Sequence, residues 1–193
     1  MTATPERGRW TLRRWVLLLA GATLLHAAVA VLTPISGDEA YYWDLSRHPA
    51  WSTFDQPALV IWLMVPFRIL FGETALAVRG PAMLASLAIG ILMLPLARRL
   101  GGGLREASIA YLVLHATPLV LLGSSYVSTD IAMAACFVGA AWAAVTIAQD
   151  DRRGWWGFGL AAGLGFLAKF PMVAVLIGVL RLLAMPHVRA HLR

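Results

Sequence analysis

Charge is scarce in this 193-residue chain and lysine is nearly missing: charged residues make up 13% of it, and Lys169 is the sole lysine among sixteen Lys and Arg residues. With 60% hydrophobic residues, that scarcity excludes an ordinary soluble domain. Cysteine occurs once, at Cys136, which rules out an internal disulfide; lying in an apolar run, it reads as packing. The basic residues are scattered between apolar runs and form no stripe. The net charge of +6 is therefore no nucleic-acid footprint, and no nucleic-acid partner is expected. A Walker loop, a dinucleotide fingerprint and a nucleophile elbow are all missing. No Ser/Pro-rich or low-complexity stretch separates domains, and His26 and His48 have no metal-ligand partners at recognisable spacing.

What the chain has instead is apolar runs, at about 15–33, 57–71, 79–97, 106–123, 129–148 and 155–185, the last interrupted by Lys169 and Pro171. This predicts one polytopic all-α membrane domain over 1–193. The start mimics a signal peptide, with Arg7, Arg9, Arg13 and Arg14 before Val16–Leu32, but the spans that follow favour an uncleaved first helix. The other basic flanks are Arg98-Arg99 with Arg105, Arg152-Arg153, and Arg189 with Arg193. The positive-inside rule puts all of them in the cytoplasm. That assignment works only if 57–71 does not span, and the run is short of the roughly 20 residues a span needs. It therefore reads as an interfacial helix, with Trp62 suited to that depth, and 37–47 as a second. The last run divides into a hairpin of short helices, 154–169 and 171–185, because Pro171 cannot donate a helical N–H. The outer face then holds Asp38, Glu39, Asp44, Asp55, Glu73 and Asp130 with Arg47, Arg68, Arg79 and Lys169, which leaves twelve basic residues inside.

Acids in a membrane protein sit at the water boundary or do chemistry, since a carboxylate at the bilayer centre costs about 2.5–3.5 kcal/mol. Ser36-Gly37-Asp38-Glu39 has the spacing of a capping box, which explains Ser36 and Glu39 but not the aromatic run Tyr41-Tyr42-Trp43 that follows. A cap can also hold a catalytic acid in place, so both readings stay open. Asp55, before Gln56-Pro57, is placed to cap the interfacial helix. Asp130, after Ser128-Thr129, suits the start of a span. Lys169 either snorkels to the interface or meets a phosphate. Arg79, at the opening of its span, has the same two readings, and its fork suits a phosphate better. His115 reads as a hydrogen-bonded core residue, and Gly159-x-x-x-Gly163 as a small-residue packing face.

Taken in order, these pieces resemble the polyprenyl-phosphate-sugar-dependent glycosyltransferases of the GT-C fold, in the branch of protein mannosyltransferases and lipid A aminoarabinose transferases. The resemblance rests on Asp38-Glu39-Ala40-Tyr41-Tyr42-Trp43, Phe54-Asp55-Gln56-Pro57, Phe71-Gly72, Val78-Arg79-Gly80-Pro81, Ser128-Thr129-Asp130 and Gly163-Leu164-Gly165-Phe166-Leu167-Ala168-Lys169-Phe170. It covers about 15–185 and implies that Asp38 is the catalytic acid/base. Glu39, Tyr42, Asp55, Arg79, Asp130 and Lys169 would contact substrate, with Asp55 a candidate for a divalent cation. Gln56 stands where relatives often carry histidine or a basic residue. Members of the family continue past 193 with further spans, so the chain is expected to be the N-terminal part of such a module.

The function implied is sugar transfer from a polyprenyl phosphate to a lipid, glycan or protein acceptor, on the outer face of a bacterial inner membrane with a cytoplasmic N-terminus. A transporter or flippase would need ionisable groups through several spans. Only His26, His115 and Arg181 offer them. The third alternative is an inactive scaffold.

Overall fold

The structure, a computed structural model, describes residues 10–186. Arg7, Arg9, Arg189 and Arg193, part of the sequence argument for topology, lie outside the described residues. The described residues form an all-α membrane bundle. The helices are α1 (Leu12–Leu32), α2 (Gly37–Leu45), α3 (Leu59–Phe71), α4 (Ala75–Arg99), α5 (Leu104–His115), α6 (Pro118–Gly123), α7 (Thr129–Ala148), α8 (Arg153–Ala168) and α9 (Met172–Ala184). Three of them, α1, α4 and α7, are long and apolar enough to cross a membrane on their own.

The centre of the bundle is α4 and α7, running parallel. Leu92 of α4 lies near Gly139 of α7, and Arg99 after it bonds Gln149 and Asp151 beyond the end of α7. Around them α1 packs through Trp15 and Leu19 against Ile89 and Tyr111. The α7–α8 pair approaches closely because glycine and alanine face each other. A Cβ on Gly154 would stand 2.8 Å from the Ala143 carbonyl oxygen and 2.9 Å from the Ile147 amide nitrogen. Gly159 and Gly163, the face expected from their spacing, have nothing within 4 Å of a Cβ position, so α8 turns that face away from its neighbours.

Two boundaries differ from the sequence expectation. The run 106–123 is not one helix: Thr117 is extended (φ −76°, ψ 139°) and Pro118 opens α6. The residue before proline is pushed away from helical geometry, and proline has no N–H to continue α5. The second difference is at Arg79. Helix α4 starts four residues before it, capped by the Thr74 hydroxyl, which places Arg79 one turn inside the helix.

Helix α3 is too short to cross a membrane on its own. At about 1.5 Å per residue its thirteen residues reach about 20 Å, against a hydrocarbon core of about 30 Å. One end is also tied to α2 and the other to the turn just after it. Tyr41 bonds Asp55 in the loop before α3, and Arg47 pairs with Glu73 at 3.2 Å just after it. Gly72, at φ 63°, makes the turn into α4. The α8–α9 hairpin forms as expected, broken at Lys169-Phe170-Pro171. Met172 packs under Gly165, and Leu180 and Ala184 come back beside Asp150 and Trp155.

The order of the helices therefore gathers the acidic motifs at one end, where α1, α6 and α8 finish and α2, α4, α7 and α9 begin. Arg98, Arg99, Arg105, Arg152 and Arg153 gather at the other.

Candidate functional site

At the acidic end the first element is α2, started by a complete capping box. The Ser36 hydroxyl accepts from the Glu39 N–H at 3.3 Å, and Glu39 Oε2 accepts from the Ser36 N–H at 3.0 Å. The box fixes the first turn, and α2 then turns Glu39 and Tyr42 inward, one turn apart. Asp38, beside them, points outward: it is exposed and makes no hydrogen bond or salt bridge among the described residues.

Glu39 meets Arg79 in a fully enclosed pair. Arg79 Nε donates to Glu39 Oε1 at 2.7 Å and Nη2 donates to Oε2 at 2.8 Å, with side-chain exposures of 0% and 1%. The remaining guanidinium protons go to the end of α1. Nη1 reaches the carbonyls of Ala30 and Thr33 and the Thr33 hydroxyl, at 2.8, 3.1 and 2.6 Å, and Nη2 reaches the Pro34 carbonyl at 2.7 Å. The cation also lies 4.6 Å over the Tyr126 ring. All five guanidinium donors are thus committed to protein. This corrects the expectation of a phosphate-facing Arg79: α4 begins early enough to bury the side chain, and burial is tolerable only because every donor is met.

Glu39 takes a third donor, the Val127 N–H at 3.3 Å. Burial alone would push its pKa up. The bonds from Arg79, Ser36 and Val127, with the Arg79 charge, more than offset burial and hold it below the ordinary value. One carboxylate therefore binds together the start of α2, the second turn of α4 and the loop leading into α7. Glu39, expected to touch substrate, is enclosed within the fold.

Asp55 also differs from expectation. Helix α3 begins at Leu59, where Ala58 makes no side-chain cap, so Asp55 caps nothing. Its Oδ1 instead accepts from the Tyr41 hydroxyl at 2.6 Å, a bond that raises the Tyr41 pKa. Asp130, in the first turn of α7, accepts from Lys169 Nζ at 2.6 Å, both side chains about a third exposed (38% and 34%). Lys169 pairs α7 with the α8–α9 turn and keeps two further N–H donors.

Tyr42 lies within electrostatic reach of all three aspartates. Its buried phenol titrates above the ordinary value, first because of burial. A hydrogen bond with Thr129 lowers it somewhat, and the negative charges of Asp38, Asp55 and Asp130 raise it further. All three motif acids thus act on one phenol, and Tyr42 packs in one core with Leu59, Val78, Val127 and Ala168. Among the described residues no group of three or more His, Cys, Asp or Glu side chains could hold a metal ion. The Asp55 Oδ1 oxygen is engaged by Tyr41.

Sequence reasoning missed Tyr126, Thr129, Val127 and the carbonyls at the end of α1. The single available signal was an arginine following an apolar helix start, which demands buried acceptors. His115 is bonded, as expected, with Nε2 3.0 Å from Ser86 Oγ and Nδ1 3.1 Å from the Tyr111 carbonyl oxygen. His26 Nδ1 lies 2.9 Å from Ser125 Oγ.

The chain is similar to an undecaprenyl phosphate-alpha-4-amino-4-deoxy-L-arabinose arabinosyl transferase of Edwardsiella ictaluri, 32% identical over 64% of this chain and 24% of that protein. A protein of Sodalis glossinidius with the same printed activity is 29% identical, over 84% of this chain and 34% of its own length. One from Serratia proteamaculans is 27% identical over the same shares. The chain thus spans a quarter to a third of the length of these relatives, and no solved structure matches it. Residues 55–193 match the family described as dolichyl-phosphate-mannose-protein mannosyltransferase, and the chain belongs to that family.

Proposed function

We propose that this chain forms part of an integral membrane glycosyltransferase that takes a sugar from a polyprenyl-phosphate donor and passes it to a lipid, glycan or protein acceptor. The observation that carries the reading is Asp38: exposed, unbonded, and fixed beside a braced cluster of acids and a lysine at one end of the bundle. Family membership and the relatives' printed donor, an undecaprenyl-phosphate sugar, support the choice of donor. The basic end of the bundle supports a cytoplasmic N-terminus and an outer-facing site in a bacterial inner membrane.

In the reaction the acceptor oxygen attacks the sugar's anomeric carbon, and the bond from that carbon to the phosphate oxygen breaks. The electron pair leaves with the polyprenyl phosphate, and the acceptor's proton passes to Asp38. A well-placed general base contributes about 10²–10⁴ in rate. Lys169, with two N–H donors unused, faces the charge that develops on the phosphate. Arg79 and Glu39 serve as positioning residues, holding α2 and the α7 entry so that Asp38 and Asp130 keep their register. Asp55 and Tyr42 line the substrate site beside Asp38.

The test is Asp38→Asn in proteoliposomes supplied with a lipid-linked sugar and membrane acceptors. Transfer should fall by about 10²–10⁴-fold. Near-normal turnover would remove Asp38 from the role, and lipid translocation without any transfer would favour a flippase instead.

A further inference from the structure

The loop between α2 and α3 holds an aromatic cleft apart from the acid cluster. Trp51 is 85% exposed, and its ring meets Trp62 edge to face, with centroids 4.9 Å apart and planes at 88°. Trp62 Nε1 donates to the Ala50 carbonyl at 2.8 Å, which fixes that ring and uses its only donor. The two rings, with Pro49 and Ala50, wall an open cavity of about 310 Å³.

The cleft is stiff. A bridge joins Ser52 to Pro57, the Thr53 N–H donates to the Gln56 carbonyl at 3.2 Å, and the Thr53 hydroxyl donates to the same oxygen at 2.8 Å. This closed turn carries Asp55, which Tyr41 holds from α2. The cleft and Asp55 therefore adjoin one cross-bonded turn.

An interfacial aromatic belt requires amphipathic rings with their N–H groups toward headgroups. Here the Trp62 N–H is satisfied by the protein, and the two rings converge on a concave space. No cation lines that space, so it does not suit a phosphate. A flat apolar ring face with water at its rim suits the C–H face of a sugar ring, whose hydroxyls stay hydrated. Its volume is at the small end of ligand sites, about 300–1,000 Å³, which suits one ring rather than a chain.

We propose that Trp51 and Trp62 form a stacking subsite for a pyranose ring beside Asp55. The inference rests on the glycosyl-transfer reading and names the substrate feature that this part of the site grips. The ring belongs either to the lipid-linked donor or to a saccharide acceptor.

The test is saturation-transfer NMR on the chain in nanodiscs. One arm uses methyl pyranosides of mannose, glucose, galactose and arabinose, and the other uses neryl-phosphate esters of the same sugars. Saturation of ring protons should appear, fall at least fivefold in Trp51→Ala, and persist in Trp51→Phe. A response to the free methyl pyranosides assigns the subsite to an acceptor sugar, and a response to the neryl esters alone assigns it to the donor. No ring saturation in either arm, or equal saturation in Trp51→Ala, overturns the proposal. So does a component of tryptophan quenching by acyl-brominated lipid that disappears in Trp51→Phe, since the Trp51 ring would then lie in the bilayer. The two readings can fail separately. Ring binding retained in Asp38→Asn, with no transfer by the whole enzyme that contains the unmutated chain, leaves the subsite and removes the transferase reading. Transfer unchanged in KM and kcat by Trp51→Ala does the reverse.

Discussion

Arg79 and Glu39 are forty positions apart in sequence and meet at 2.7 Å with neither side chain reaching solvent. Breaking a buried pair from one side leaves an uncompensated charge, at a cost of about 3–5 kcal/mol. Arg79→Met and Glu39→Met should therefore each lower thermal stability strongly in detergent. The double substitution should be less damaging than the two effects added together, because it removes both charges. Additive losses in a thermal-shift series would mean that the two groups do not depend on each other.

The same carboxylate makes a prediction about pH. Its pKa is lowered in the folded state relative to the ordinary 4.5. A depressed pKa contributes stability that is present above the unfolded value and lost as pH falls through the folded one. The unmodified chain should thus hold its melting temperature down to about pH 4.5 and lose it below, as Glu39 takes up a proton. Glu39→Gln should start lower and show a shallower decline over that acid range. Parallel acid curves for the two proteins would show that Glu39 carries no such linkage.

Lys169 and Asp130 present the opposite case, a pair about a third exposed. Exposed pairs contribute about 0–1 kcal/mol, so Lys169→Ala should shift the melting temperature little. If Lys169 neutralises the departing phosphate, transfer should still collapse, mainly in kcat, with Lys169→Arg restoring part of it. A KM rise at constant kcat would instead make Lys169 a ground-state contact for the donor.

These residues differ in how far the sequence exposes them. The capping box was legible because Ser36 and Glu39 are three positions apart, and local spacing fixes who meets whom. The short α3 and the break at Lys169–Pro171 were legible for the same reason, since length and a missing N–H act locally. The partners of Arg79 and Asp55 were not legible. Arg79 finds Glu39, Ala30, Thr33 and Pro34 because α1 and α4 pack antiparallel, and Asp55 finds Tyr41 because the loop folds back over α2. Sequence order places Asp38, Glu39, Asp55 and Asp130 at one end, but only packing decides which of them are spent on the fold and which, like Asp38, stay free.

Helix rotation was equally hidden, and it gives a direct test. Gly159 and Gly163 carry the familiar small-residue spacing, yet both are exposed, with open space where a Cβ would be. Gly154 lies against backbone: its added methyl would stand 2.8 Å from the Ala143 oxygen and 2.9 Å from the Ile147 nitrogen, contacts that a side-chain rotation cannot relieve. Gly154→Ala should therefore push α8 from α7 and cost about 1–3 kcal/mol, the range for overpacking. Gly159→Ala should be neutral or slightly stabilising, because alanine is the better helix former. Thermal melts of the two variants side by side decide it. Equal losses at both positions would mean that α8 presents its Gly159 face to a neighbour after all.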